Sequence, residues 1–454
     1  MGHSRNDSHD DRIFSTSPWE RDSSARNVAM GAQMAQSLVL GLQWVVFHAG
    51  IVISGPVILA KGLSLTPSQT TNLMQITFVV TGLGSIFQVL VGHRKMLVEG
   101  PAVPWWVAYL ALATVALPVG IAIEVVRTNI EGAMIVGGAV VVSAGFAGII
   151  RRLRFLFTHR ITGVLLTLIA IQTSSVAIRG LVGHGLVPFV IGVLVLLTAV
   201  VLLTRTRGLV RNSAILVSVA VGWGAMALLG VAPVELTKAA VVDLPAILPW
   251  GRPTFEFGSI FTLTLLGLLL IPNQVGSIKA MEQVAGKETA PRDYDRGLAT
   301  TGLVCTAAGL FGGIGTAPFA ISAGLVSVTR ERTNGGFLIG GILFVVLGVV
   351  PVLGELFSAI PVSIASAVLL ISVSSLAMIG LESATQAVLD VRASFVIGLG
   401  LLVGTGIMFL PSTVWSGIPG WLSSVLSNGV ITGTITAIVL EQSVLRSGRS
   451  SDPA

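Results

Sequence analysis

The chain carries Glu99-Gly100-Pro101-Ala102-Val103-Pro104 in its first half and Gly312-Gly313-Ile314-Gly315-Thr316-Ala317-Pro318-Phe319 in its second. Each run opens an apolar segment, and each sets proline and glycine where a helix would otherwise start. Proline removes a backbone donor and glycine tolerates non-helical backbone, so both runs predict a short extended stretch followed by a half-helix. Inside a bilayer, the backbone groups freed there must be met by protein, water or solute. One such break is an ordinary kink. A matched pair in two halves points to a binding site near the midplane between inverted repeats.

The surrounding composition places these breaks in a membrane. Of 454 residues, 53% are hydrophobic and 11% charged, and mean hydropathy is +0.89. A soluble chain keeps roughly 25% of its residues charged to cover its surface. The 53 glycines fit close helix contacts in lipid. A pI of about 10.1 raises nucleic-acid binding, but the basic residues are short clusters between apolar runs, without interleaved aromatics. No nucleic-acid partner is expected. The lone Cys305 rules out an intrachain disulfide.

A spanning helix needs about 20 apolar residues. Such stretches lie near 35–60, 70–92, 101–121, 130–150, 161–178, 187–204 and 213–231, then near 258–280, 298–313, 315–329, 335–353, 360–380, 393–410 and 426–441. Lys/Arg positions test this count independently. With the N-terminus inside, only Lys61, Arg127, Arg179, Lys238 and Arg252 of the 27 fall outside, and the other 22 fall inside. One span more or fewer would destroy that asymmetry. The expected fold is all-α and polytopic, with fourteen transmembrane segments as seven-plus-seven inverted repeats, segments 3 and 10 being short and broken.

The expected organisation is a cytosolic arm over 1–33, mostly disordered with a short surface helix before the first span, and a first repeat over 34–231. A linker over 232–257 on the far side joins it to a second repeat over 258–441, and 442–454 form a cytosolic tail. The arm lacks the apolar stretch of a cleavable signal. A multi-pass protein of a bacterial-type plasma (inner) membrane with both termini cytoplasmic is expected, in contact with lipid.

At these residues the chain resembles the xanthine/uracil permease family, the nucleobase–ascorbate transporters, over roughly 35–441. Gly41-Leu42-Gln43-Trp44 is similar to the family's Gln-His signature, with tryptophan for histidine. Gly100-Pro101-Ala102-Val103 resembles the small-residue strand that approaches the base. Asn273-Gln274-Val275-Gly276-Ser277 falls where the family has a carboxylate, two variable residues and a glycine. Phe319-Ala320-Ile321-Ser322-Ala323-Gly324, followed by Ser327-Val328-Thr329, resembles the tenth-span signature, and Ile360-Pro361-Val362 leading to Met378-Ile379-Gly380 the twelfth. The family's acidic positions align with Asn273 and Ile321 here. An amide donates and accepts hydrogen bonds but does not titrate. The resemblance implies a secondary transporter working by alternating access, with a core of spans 1–4 and 8–11 and a gate of spans 5–7 and 12–14 that forms a homodimer contact. It implies a purine or pyrimidine as solute, with H+ or Na+ co-transport. The alternatives are a small-anion carrier of the related sulfate/bicarbonate type, or a channel or non-transporting sensor.

The candidate substrate-binding residues are therefore Gln43, Gly100, Pro101, Ala102, Val103, Asn273, Gln274, Ser277, Thr316, Phe319, Ala320 and Ser322. Asn273 and Ser277 are four apart and share a helical face. His48, the one histidine inside a predicted span, is a candidate proton carrier because its ordinary pKa is near neutral. It lies about 140° around the helix from Gln43. Glu99 reads as a group at the cytosolic mouth. Trp105, Trp106, Trp250, Trp415 and Trp421 read as interfacial belt residues. Lys279 and Glu282 read as a local ion pair. No His-Glu-x-x-His, nucleophile elbow, Walker loop or Cys/His cluster is present. No enzyme activity, cofactor or metal is expected.

Overall fold

The computed structural model describes residues 18–116, 120–207, 210–211, 214–231, 242–330, 333–352, 361–386, 390–415, 417–418, 422 and 426–444. In order, the first-half elements are α1 (Pro18–Gly62), α2 (Pro67–Leu90), β1 (Glu99–Pro101), α3 (Val103–Ala116), α4 (Ile123–Phe146), α5 (Ile149–Leu153), α6 (His159–Val182), α7 (Leu186–Arg205) and α8 (Ala214–Leu228). The second half has α9 (Phe257–Leu269), α10 (Ile271–Ala285), α11 (Pro291–Leu310), β2 (Thr316–Pro318), α12 (Ile321–Thr329), α13 (Asn334–Val349), α14 (Val362–Thr385), α15 (Val391–Met408) and α16 (Gly429–Val439). Helix α1 begins at Pro18, so it runs well into the segment expected to be mostly disordered.

Every apolar stretch predicted from sequence carries helix. Among the described residues, seven helices are long and apolar enough to cross a membrane, or eight if the bent α1 is one span. Its halves meet at 49° between His48 and Ile51. Gly50 lies at the bend and Pro56 removes an amide donor further on, the usual causes of a kink. Shorter apolar helices include α8 and α13. Helix α11 is less apolar, because Arg292, Asp293, Asp295 and Arg296 occupy its first turns.

The packing partners recur across the two halves. Helix α4 packs on α11 and α9, and α2 packs on α13, which also meets α1; α6 packs on α14, α7 on α8, and α15 on α16. Where α4 crosses α11, the backbones touch. A Cβ built on Gly302 would strike Val142 N and come within 2.8 Å of Gly138 O, and one on Gly138 would come within 2.6 Å of Thr306 N. Small residues permit this approach, which in lipid supplies much of the association energy through dispersion contacts. The largest apolar cluster joins α1 to α6 and α14 through Phe47, Leu165, Val368 and Leu376, and a second gathers Trp105, Tyr109, Met134 and Leu263.

The turns are fixed by polar caps. Thr66 accepts from Gln69 N at 3.3 Å, and Gln69 Oε1 accepts from Thr66 N at 3.0 Å, a capping box with Pro67 in the first turn of α2. Arg127 of α4 reaches over this turn, donating to Leu63 O at 2.9 Å and Ser64 O at 2.6 Å. Thr66→Ala is expected to cost about 1 kcal/mol through loss of the cap, read as a small fall in the thermal midpoint of detergent-purified protein.

Candidate functional site

The two broken segments meet. Strands β1 and β2 pair antiparallel, with Glu99 opposite Pro318, Gly100 opposite Ala317 and Pro101 opposite Thr316. The pairing satisfies backbone groups that a broken helix leaves free in a bilayer. Ala102 N extends it to Gly315 O at 3.2 Å, and Phe319 N to Val98 O at 2.9 Å. Gly100 faces the Phe319 ring, and a Cβ there would overlap that ring (2.6 Å from its Cζ). After the strands, α3 and α12 begin, so two helix N-termini leave the same short sheet.

Helix α10 is fastened to this sheet by the polar pair predicted to share a face. Asn273 Nδ2 donates to Pro318 O at 3.1 Å, and Ser277 Oγ donates to the same carbonyl at 2.9 Å. The bond through Nδ2 fixes the amide plane, leaving Oδ1 and the second N–H for other partners. Pro318 O keeps a donor if Asn273 is removed.

A cavity of about 1350 Å³ lies beside the sheet. One wall consists of Phe47, Ala102, Val103, Trp106, Asn273, Pro318, Phe319 and Ala320, together with Ile321; the facing wall comes from α6, α14 and the ends of α15 and α16. The α6 wall contributes Gln172, Thr173, Ser174 and Ser175. Arg179 is the one charged residue among the described lining residues, and no carboxylate is among them. The chamber is aromatic on the strand side, through Phe47, Trp106 and Phe319, with Asn273 as the polar side chain there. That combination suits a small planar solute read by a handful of hydrogen bonds.

Of the residues singled out from sequence, Ala102, Val103, Asn273, Phe319 and Ala320 line this cavity. Gly100, Pro101 and Thr316 form the strands behind it. Gln43, His48, Gln274, Ser277 and Ser322 are not among its lining residues. Gln43 is 1% exposed with both amide atoms unpartnered, one helical turn before Phe47. Gln274 accepts from Thr301 Oγ1 at 3.2 Å.

His48 lies between rings. It stacks on Trp44 and on Phe319, with centroids 5.6 and 6.0 Å apart. Its Nδ1 lies 2.9 Å from Trp44 O, which only accepts, so Nδ1 carries the hydrogen of the neutral ring. Nε2 then accepts from Ser322 Oγ at 3.1 Å, and Ser322 Oγ accepts from Val98 N at 3.1 Å. Every polar atom of the neutral ring is satisfied. His48 thereby fixes the ring of Phe319, which lines the cavity, and ties α12 to the residue preceding β1.

Two sequence readings need correction. Glu99 is fully buried, its carboxylate bonded to Gln88 and Thr316, and is not at a solvent-facing mouth. Trp105, Trp106 and Trp250 are 2%, 6% and 7% exposed and belong to the packed interior, not to an interfacial belt. Trp105 Nε1 donates to Thr316 O at 3.3 Å, while Trp106 enters the cavity wall and donates to Pro101 O at 3.4 Å. The tryptophans follow the Gly-Pro break so closely that β1 carries them into the interior with it. Trp415 also lines the cavity, and Trp421 lies outside the described residues. The Lys279–Glu282 pair is present at 2.9 Å, and Glu282 also accepts from Tyr294 OH at 2.9 Å.

Beyond the end of α2, His93 and Lys95 are buried in the turn leading to β1. Burial, with the Lys95 ammonium nearby, pulls the His93 imidazole down to about 3. It is therefore neutral near pH 7. Among the described residues, no group of three or more His, Cys, Asp or Glu side chains is arranged to hold a metal ion.

Comparison with known proteins gives a consistent result. Residues 35–413 match the xanthine/uracil permease model, described as a permease family. The chain is 31% identical over 432 residues to YwdJ of Bacillus subtilis, a candidate purine permease, covering 91% of this chain and 98% of that one. It is 25% identical over 426 residues to the uric acid permease PucJ of the same organism, covering 88% and 91%. The Bacillus subtilis xanthine permease is 25% identical over 421 residues, covering 89% and 93%. Among solved structures, the transmembrane domain of the cyanobacterial bicarbonate transporter BicA aligns with a TM-score of 0.52 at 15% identity, covering 89% of this chain and 97% of that one. SLC26A9 aligns with a TM-score of 0.54 at 12% identity, covering 89% and 65%. Both share the fold.

Proposed function

The chain belongs to the xanthine/uracil permease family, and from that premise we propose that it carries a purine base across the membrane. It is a multi-pass integral membrane transporter and not an enzyme. The observation that carries the solute reading is the amide of Asn273. It stands in the cavity wall beside Trp106, Phe319 and the paired strands, and its bond to Pro318 O aims the remaining donor and acceptor. An amide so held matches the adjacent N–H and C=O of an oxopurine, and the aromatic walls match its faces. Relatives named for uric acid, xanthine and purine transport support this class.

Transport by alternating access, with fourteen spans in two inverted repeats, is part of the same proposal. Helix pairs that exchange under the repeat have matching contacts: α4 with α11 answers α2 with α13, and α4 with α9 answers α1 with α13. The group α1–α4 with α9–α13 is the core, and α6–α8 with α14–α16 is the gate and dimer-forming face. The cavity lies between them and reaches Arg179, which the charge asymmetry places on the outer side, so this is an outward-open arrangement. An inner-membrane location with cytoplasmic termini follows from the same asymmetry.

A small anion is the second reading. It is favoured by Arg179 as the one charged lining residue and by the two helix N-termini at the sheet. Purified protein in liposomes preloaded with unlabelled xanthine or uric acid is expected to take up the labelled base by exchange, saturably and with mutual competition. Silence across purines and pyrimidines, with bicarbonate or sulfate exchange in the same vesicles, would favour the anion instead.

A further inference from the structure

The strand pair holds a carboxyl group that the cavity does not use. Glu99 opens β1 and Thr316 opens β2, and the Thr316 hydroxyl donates to Glu99 Oε1 at 3.0 Å. The bond joins equivalent positions of the two broken segments. Glu99 Oε2 accepts from Gln88 Nε2 at 3.0 Å. Gln88 Nε2 also lies 3.0 Å from Gly297 O and 2.9 Å from Thr301 Oγ1 on α11, three acceptors for its two hydrogens. Glu99 N donates to Ser85 Oγ at 2.9 Å. Elements from both halves therefore converge on one carboxyl group with no exposed surface.

The titratable groups around it are few. Cys305 of α11 lies against Thr316, His48 of α1 is bonded to Ser322, and His93 N, beyond α2, donates to Gln88 Oε1 at 3.4 Å. The acidic end of α11 is occupied elsewhere, with Asp293 paired to Arg296 at 3.1 Å and Asp295 3.9 Å from Arg151. Within the described residues, no Lys or Arg pairs with Glu99. Ionisable groups inside a membrane without such a partner mark ion and proton pathways.

The hydrogen bonds around Glu99 can reverse without moving a heavy atom. With the carboxylate ionised, the Thr316 hydroxyl donates to it, and Cys305 Sγ–H, 3.8 Å from Thr316 Oγ1, turns towards that oxygen. With the carboxyl protonated, Glu99 donates to Thr316 Oγ1, and Thr316 turns its hydrogen to Cys305 Sγ. A hydroxyl is both donor and acceptor, so each state leaves its partners satisfied. Beside Gln274, Thr301, Cys305 and Thr316 lies a void of about 10 Å³, at the lower limit for one water, and Gln274 Nε2 is unpartnered at its edge.

We propose that Glu99 is the proton-binding site of the transport cycle, with Thr316 and Cys305 as its reversing hydrogen-bond chain. The balance is one proton added to the Glu99 carboxylate on loading and returned on release. Two residues along β2 from Thr316, Pro318 O holds Asn273, and Phe319 follows in the cavity wall. Glu99 and the solute cavity therefore contact one and the same strand. This rests on the purine-transport reading of the cavity.

The test uses wild type and Glu99→Gln in liposomes with an entrapped pH dye and labelled xanthine or uric acid. Wild type is expected to move protons with the base. Glu99→Gln, which mimics the protonated carboxyl, is expected to keep base exchange within about threefold while base-evoked proton movement falls at least about tenfold. Glu99→Asp is expected to retain part of that movement. Equal proton movement during net base uptake in wild type and a folded Glu99→Gln would overturn the proposal, as would net uptake into base-free vesicles by wild type with no proton movement. Absence of base exchange by wild type would instead remove the transport reading. In that case pH-difference infrared spectra decide for Glu99: a carboxyl band that titrates in wild type and is lost in Glu99→Gln supports it, and identical spectra overturn it.

Discussion

Asn273→Leu is expected to abolish measurable base uptake at low solute concentration while the protein stays folded. The side chains are similar in volume, and Pro318 O retains its bond from Ser277 at 2.9 Å. The sheet therefore keeps its link to α10. What disappears is the one polar side chain that α10 presents to the cavity. A base entering the altered site leaves a donor and an acceptor unpaired against an apolar wall, at about 2–3 kcal/mol, or roughly 30- to 150-fold in affinity. Ligand-induced thermal stabilisation and uptake measured on the same preparation check this. Unchanged binding in a folded Asn273→Leu protein would remove Asn273 from the site. Asn273→Gln is expected to recover little, because a longer amide cannot bond Pro318 O and present the same edge.

Gly302→Val is expected to be the most damaging single change to stability. Its first side-chain atom would strike Val142 N and stand 2.8 Å from Gly138 O and 2.9 Å from Val141 C. All three are backbone atoms of α4, so no rotamer change relieves the collision and the helices must separate. Overpacking ordinary cores costs about 1–3 kcal/mol, and a backbone-to-backbone crossing lies at or beyond the upper end. Loss of a monodisperse peak on detergent gel filtration is the expected readout. The control is Gly406→Ala on α15, where an added Cβ meets nothing within 4 Å. Better helix propensity there is expected to leave stability unchanged or raise it by up to about 1 kcal/mol.

Some of the site follows from local pattern. The i, i+4 spacing of Asn273 and Ser277 puts both on one face, and both bond the same carbonyl. Pro101 and Pro318, with their glycines, foretell extended backbone, and the two strands are where that backbone lies. Gln43 is different. Its family match pointed to the cavity, but α1 reaches the cavity with Phe47 and Ile51, and Gln43 is buried a turn earlier.

What the sequence by itself determines is the membrane class, the positions of the apolar helices and the two places where helix must fail. These depend on the properties of contiguous residues: hydropathy, the missing donor of proline and the freedom of glycine. Which distant residues meet was decided by tertiary structure alone. Glu99 and Thr316 are 217 residues apart, and nothing in either neighbourhood encodes the other. Only the antiparallel pairing of β1 with β2 places a carboxylate against that hydroxyl and turns Trp106 into a cavity wall. The paired broken segments are therefore more than a gap between half-helices. They also form the sheet through which a buried carboxyl group and the solute cavity touch.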